Sequence, residues 1–177
     1  MRLKKITKTA MAVALLTAVL LSGCASKGGN PDSDASSGSK PAASASKAVD
    51  PAALAKQMVE ALASPVEMTV AEKSAIDNYY GLDTAALDGY CIYMNSSFEA
   101  AEIALVVPKA DQKDAVKKLL EQRLEQMKES FIDYKPEVYQ TVKDNAKILE
   151  QNNLLCLISG SAAEVTAAEK VFTDALK

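Results

Sequence analysis

Between residues 51 and 177 the apolar positions follow two periods, and the switches between them mark out elements. Asp50-Pro51 reads as a cap with a first-turn proline, and Leu54, Met58, Ala61 and Leu62 recur at helical spacing until Pro65. Thr69-x-x-Glu72 has the form of a capping box, Ile76, Tyr79 and Tyr80 give an apolar side, and Gly81 supplies a left-handed stop, so a second, short helix is expected. Tyr90, Ile92 and Met94 alternate with Cys91 and Tyr93, the period of a strand. A more buried strand is expected over residues 102–107, closed by Pro108.

Asp111 is placed to cap the next helix. There Val116, Leu119, Leu120, Leu124, Met127 and Phe131 trace one stripe, while Lys117, Lys118, Glu121, Glu125 and Glu129 occupy the remainder. At 1.5 Å per residue its length is about 30 Å. Pro136 bars the residue before it from helical geometry and opens a short helix over residues 137–144. Residues 146–151 and 154–159 form a hairpin around Asn152-Asn153, a pair that tolerates the positive φ of a tight turn. Ser161-x-x-Glu164 is a second capping box, opening a last helix with Val165, Ala168, Phe172 and Ala175 inward.

The expected order is α-α-β-β-α-α-β-β-α. Two hairpins, each followed by a helix, predict an α+β fold: a four-stranded antiparallel sheet with amphipathic helices on one face. The unbroken apolar runs at 103–107 and 154–158 place the second and fourth strands centrally.

The first 50 residues follow a different pattern. A basic head with Arg2, Lys4, Lys5 and Lys8 precedes an apolar run from Ala10 to Leu21, which is too short for the roughly 20 residues of a spanning helix but fits a secretory signal. Leu21-Ser22-Gly23-Cys24 then resembles the lipobox of bacterial lipoproteins. The resemblance implies cleavage between Gly23 and Cys24 and a diacylglyceryl group on the Cys24 sulfur. The two acyl chains would anchor the chain stably, each buried methylene contributing about 0.8 kcal/mol. From Ala25 to Asp50 the chain is rich in Ser, Ala, Gly, Pro and Lys, with hardly a large apolar side chain to order it. Such a coil spans about 28 Å root-mean-square. Three segments follow: signal peptide 1–23, lipidated Cys24 and tether 24–50, and domain 51–177.

Composition narrows the chemistry. The chain carries a net charge of −3, and because the first 23 residues hold four bases and no acid, the remainder carries −7. An acidic domain repels phosphate backbones, so nucleic acid is not an expected partner. There is no histidine, which excludes Ser-His-Asp and Cys-His catalysis and His-containing zinc sites. Ser37-x-x-Lys40 and Ser44-x-x-Lys47 have the spacing of serine acyl-transfer enzymes but lie in the tether, where no helix fixes Ser beside Lys. Asp32-Ser33-Asp34 lacks the glycine and bidentate glutamate of a calcium loop. No metal site, no catalytic residue and no cofactor beyond the covalent lipid are expected.

Tyr80-Gly81-Leu82-Asp83, Ser97 followed by Glu102-Ile103-Ala104, and Phe131-x-x-Tyr134-x-Pro136-Glu137 together resemble a family of uncharacterised domains of Gram-positive lipoproteins, a domain of unknown function. The resemblance covers about residues 50 to 177. It implies a lipoprotein with an α+β domain and carries over no catalytic residue.

Two groups are candidates for recognition, and one pair of cysteines is a candidate for a disulfide. Phe131, Tyr134, Pro136 and Glu137 sit where the long helix breaks, either as a surface site or as a pinned helix exit. Six tyrosines, Tyr79, Tyr80, Tyr90, Tyr93, Tyr134 and Tyr139, either line a groove for glycan or peptide or close the core edges. Cys91 and Cys156 pair if their strands are neighbours, or are two small buried hydrophobes. Acid pairs such as Asp83 with Asp88 or Asp111 with Asp114 serve as turn caps before they serve as acid-base groups. The expectation is an extracytoplasmic, lipid-anchored binding or interaction module, its partner an envelope protein or cell-wall ligand. The alternatives are a histidine-free envelope hydrolase using Ser, Tyr, Asp or Glu, and a purely structural lipoprotein.

Overall fold

The computed structural model describes residues 49–177. The segments expected to be signal, lipobox and most of the tether lie outside the described residues. Asp50 caps the first helix, α1 (Pro51–Leu62), its carboxylate accepting from the Ala52 N–H at 3.0 Å. Leu54, Ala55, Met58 and Leu62 form its buried side.

The next element corrects the expected order. Met68–Val70 is a strand, β1, not the entry to a helix. Met68, Thr69 and Val70 pair with Asn95, Met94 and Tyr93, and the Ala71 N–H donates to the Ile92 carbonyl at 2.8 Å. Thr69 therefore caps nothing. The helix α2 (Lys73–Tyr80) starts after Glu72, which makes no side-chain cap, and ends at Gly81 with φ 62°. A β-branched pair that suits a pleated ladder has overridden a capping-box spacing.

A single 3-10 turn at Thr84–Ala86, capped by Asp83 through the Ala85 N–H at 2.9 Å, leads into β2 (Leu87–Asn95) and β3 (Glu102–Pro108). The long helix α3 (Lys113–Phe131) has Gln112 at its cap with no side-chain bond; Asp111 lies one residue further out, against the Gln112 side chain. Helix α4 (Pro136–Asn145) has proline in its first turn. The last hairpin joins β4 (Lys147–Gln151) to β5 (Leu154–Ser159) through Asn152 and Asn153, at φ 49° and 63°. This is the geometry of a tight two-residue turn. Ser161 opens α5 (Ala162–Ala175) with both bonds of a capping box. Val165, Ala168 and Phe172 are buried, whereas Ala175, expected inward, is exposed and Leu176 closes the core in its place.

The five strands form one antiparallel sheet in the order β1-β2-β3-β5-β4. Among the described residues the fold is α+β, with five strands and five α-helices where four strands were expected. The helices cover both faces, not one. On one side Ile103, Leu105, Cys156 and Ile158 pack with Leu54 and Met58 of α1 and Val165 and Phe172 of α5. On the other, Ala104, Val106, Leu155 and Leu157 pack with Ile76 of α2, Val116 and Leu120 of α3, and Val142 of α4. Successive residues of β3 and β5 thus enter opposite cores, so each strand is apolar at nearly every position.

Cys91, Leu105 and Cys156 stand in register across β2, β3 and β5 on the α1–α5 face. Two inter-strand spacings separate the thiols' Cα atoms, about 10 Å, and a disulfide reaches no more than about 7 Å. Both cysteines are free and buried, and burial pushes the Cys156 thiol well above its ordinary value. Purified under oxidising conditions, unfolded and alkylated, the chain is expected to take up label at both Cys91 and Cys156. A mass showing an intramolecular disulfide between them would contradict the register.

Candidate functional site

One glutamate breaks the apolar run of β3 at its start, and it is buried, 3% exposed. Glu102 points to the α3 side, where Val116, Leu120, Met127 and Phe131 supply the buried residues of the helix. Arg123 falls on the same stripe, three residues after Leu120 and four before Met127. Its guanidinium meets the carboxylate side-on. Nε donates to Glu102 Oε1 at 2.9 Å and Nη2 donates to Oε2 at 2.5 Å. The Tyr80 hydroxyl, at the end of α2, donates to Glu102 Oε1 at 2.5 Å. Three elements, β3, α2 and α3, are locked at one point.

The Tyr79 and Tyr80 rings lie 5.2 Å and 5.5 Å from the Arg123 guanidinium carbon, measured to their centroids, within range for a cation–π contact. With side chains 4% and 11% exposed, the Glu102–Arg123 pair is shielded from water. Its Coulomb attraction is offset by the desolvation of both charges, so its main effect is to fix geometry. Burial first, then the charge of Glu102, pushes the Tyr80 hydroxyl well above its ordinary value.

This cluster forms the inner wall of a cavity of about 300 Å³. Arg123, Met127, Ser130 and Phe131 line it from α3 at i, i+4, i+7 and i+8, one face of the helix. Tyr79 contributes from α2, Met94 and Asn95 from the end of β2, and Ser96, Phe98 and Glu99 from the β2–β3 connection. Asn95 builds that connection. Its Oδ1 accepts from the N–H groups of Ser97 and Glu99, and its Nδ2 donates to the carbonyls of Glu99 and Ala101. The loop so closed holds Phe98 at φ 51° and 67% exposed. A bulky residue in the left-handed region is strained by on the order of 1 kcal/mol. The loop is further pinned by Lys135, whose Nζ donates to Glu99 Oε1 at 2.5 Å.

The four residues expected at the helix break do not form one site. Phe131 turns into the cavity, Tyr134 is 72% exposed, Pro136 opens α4, and Glu137 lines a separate groove with Ser64, Thr141, Ser161 and Glu164. The tyrosines disperse likewise: only Tyr79 lines the cavity, with Tyr80 behind it, while Tyr93 packs toward the α1–α5 core and Tyr139 toward the other. Leu21, Ser22, Gly23 and Cys24 lie outside the described residues. The site's own residues, Glu102, Arg123, Asn95, Phe98 and Ser130, had no expected role. The signal for Arg123 and Glu102 was present: a base on the buried stripe of one element and an acid inside the apolar run of another. Among the described residues no three His, Cys, Asp or Glu side chains are grouped to hold a metal.

The domain is therefore layered helix–sheet–helix, with a small cavity backed by a buried ion pair. Residues 61–160, which contain every cavity-lining residue, match the family described as domain of unknown function DUF4358, and the chain belongs to that family. No curated protein and no solved structure matches it.

Two measurements check the cluster. Removing one partner of a buried pair strands the other charge, so Glu102→Ala and Arg123→Met should each lower stability to urea by about 3 kcal/mol, and the double variant by clearly less than their sum. Additive losses would mean that the pair is not coupled. Tyr80, with its folded value raised above the unfolded value of about 10, contributes its full share of stability below that pH and loses it as pH rises through the folded value. Urea unfolding followed between pH 9 and 11 should show a decline in the wild type that Tyr80→Phe makes shallower.

Proposed function

We propose that the chain is a membrane-anchored extracytoplasmic lipoprotein of the bacterial envelope whose domain is a non-catalytic binding module, with the cavity beside Arg123 as its recognition element. The observation that carries the reading is the cavity itself. It combines apolar walls from Met94, Met127 and Phe131, a rigidly held guanidinium, and two aromatic side chains, Tyr79 and Phe98, that stay 49% and 67% exposed beside it. A concave, mainly apolar site with a few placed polar groups is the usual form of a small-ligand pocket.

Recognition is favoured over catalysis by how the acids are used. Glu102 accepts from Tyr80 and twice from Arg123, and Glu99 is held by Lys135. A general base needs a carboxylate free to accept a proton. The anchor rests on the lipobox sequence ending in Cys24. No described helix is long and apolar enough to cross a membrane.

Two experiments test the two halves. Wild-type chain should fractionate with membranes and carry a diacylglyceryl mass on Cys24, and Cys24→Ala should abolish both; wild type without lipid mass would refute the anchor. A photo-crosslinking residue placed at Phe98 in the native envelope should give a discrete adduct that the same residue at Lys118, on the exposed side of α3, does not. Equal labelling, or none, at the two positions would refute the binding site.

A further inference from the structure

The charge arrangement around Arg123 specifies what kind of ligand the cavity accepts. We infer that it takes an uncharged small ligand bearing an N-acyl amide, whose carbonyl accepts from the outer edge of the Arg123 guanidinium and whose body lies between Met94, Met127, Tyr79 and Phe98. The inference rests on the binding-module reading and deepens it.

Arg123 uses Nε and one N–H of Nη2 on Glu102. Of the five N–H groups of a guanidinium these are two, the Tyr80 oxygen stands close enough to accept from another, and the residue lines the cavity with what remains. The free edge therefore offers N–H groups to whatever enters. Its charge, however, is already cancelled. Glu102 is ion-paired with Arg123 at 2.5 Å, and the other carboxylate of the lining, Glu99, is paired with Lys135. With both pairs neutralised internally, a carboxylate or phosphate ligand would find no uncompensated cation and would bring its charge beside Glu102, whose side chain is 4% exposed and so weakly screened. A cationic ligand would have to face Arg123. A carbonyl oxygen accepts the same N–H groups and adds no charge, and the amide is the strongest neutral acceptor of common biological ligands.

The rest of the cavity matches a small amide. Ser130 donates its hydroxyl to the Gln126 carbonyl at 2.7 Å, so the oxygen it presents can only accept, as an amide N–H requires. Asn95 spends its side-chain amide on the loop. Met94, Met127 and Phe131 form an apolar wall suited to a methyl or short alkyl group. Tyr79 and Phe98 offer flat faces to a ring or a side chain. About 300 Å³ is the low end for ligand pockets, which suits one sugar ring or one residue and no more. An amide of that size occurs on acetamido sugars and on peptides alike, and the test separates them.

The purified full chain in detergent is titrated with N-acetylglucosamine and N-acetyl-alaninamide, and with glucose, glucosamine and acetate as ligands lacking the amide or carrying charge, and binding is read by saturation-transfer NMR. At least one amide probe should bind at least tenfold more tightly than all three others; which one binds assigns the source as sugar or peptide. Phe98→Ala, at an exposed position, should weaken that probe at least fivefold with no loss of melting temperature, and Arg123→Lys should weaken it at least tenfold. Acetate or glucosamine binding as tightly as the amides, with the same dependence on Phe98, would overturn the uncharged ligand and leave a binding cavity standing. Failure of every probe would overturn the inference, while the crosslink at Phe98 reports independently on whether the cavity binds anything.

Discussion

The fold depends on two strands that have no face to show to water. In β3 and β5 nearly every residue is buried, odd and even positions alike, so the sheet is stable only if helices cover it on both sides. That demand assigns the helices. The two ends of the domain, α1 and α5, come together on one face, and the central segment, α2 with α3 and α4, covers the other. The strand order β1-β2-β3-β5-β4 follows, since two hairpins can put both apolar strands inside only by placing β5 beside β3. The outer strands β1 and β4 are short and only partly buried, which fits edges that meet solvent.

Within this frame Glu102 is the exception on which the site turns. An ionised carboxylate inside a sheet face must be paired and hydrogen-bonded, and here the partners come from two different helices. The pair consequently sets the relative position of α2, α3 and the start of β3. It also stops the core from closing there: beyond Arg123 the stripe of α3 continues as Met127, Ser130 and Phe131 against the loop after β2, and the space between is the cavity. Stability and site share one cause, since the charge that prevents close packing is also the group left with donors to offer.

Much of the fold was readable in the sequence because local physics decided it. Asp50-Pro51, Asn152-Asn153 and the Ser161 capping box act within a few residues, and each appears as its chemistry requires. Met68–Val70 was not readable, because three residues carry no period and their pairing with residues 93–95 is a tertiary event. The two-sided sheet was legible and misread. Runs at 103–107 and 154–158 with no polar alternation already require cover on both faces, and that requirement outweighs the count of hairpins. The site was half legible: Glu102 and Tyr80 both stand in the motifs that carried the family resemblance, but nothing local links them to Arg123.

The loop after β2 explains why such a site tolerates a cost. Asn95 satisfies four backbone groups with one side chain, and in doing so commits Phe98 to a positive φ and to solvent. An apolar ring that is both strained and wet lowers stability twice, and glycine or asparagine at that position would relieve both penalties. Lys135, from the turn between α3 and α4, adds a bond to Glu99 that holds the same loop against the end of α3. The exposed phenylalanine held beside the Arg123 guanidinium is thus a feature that folding alone does not require, and it is the feature on which the proposed binding module rests.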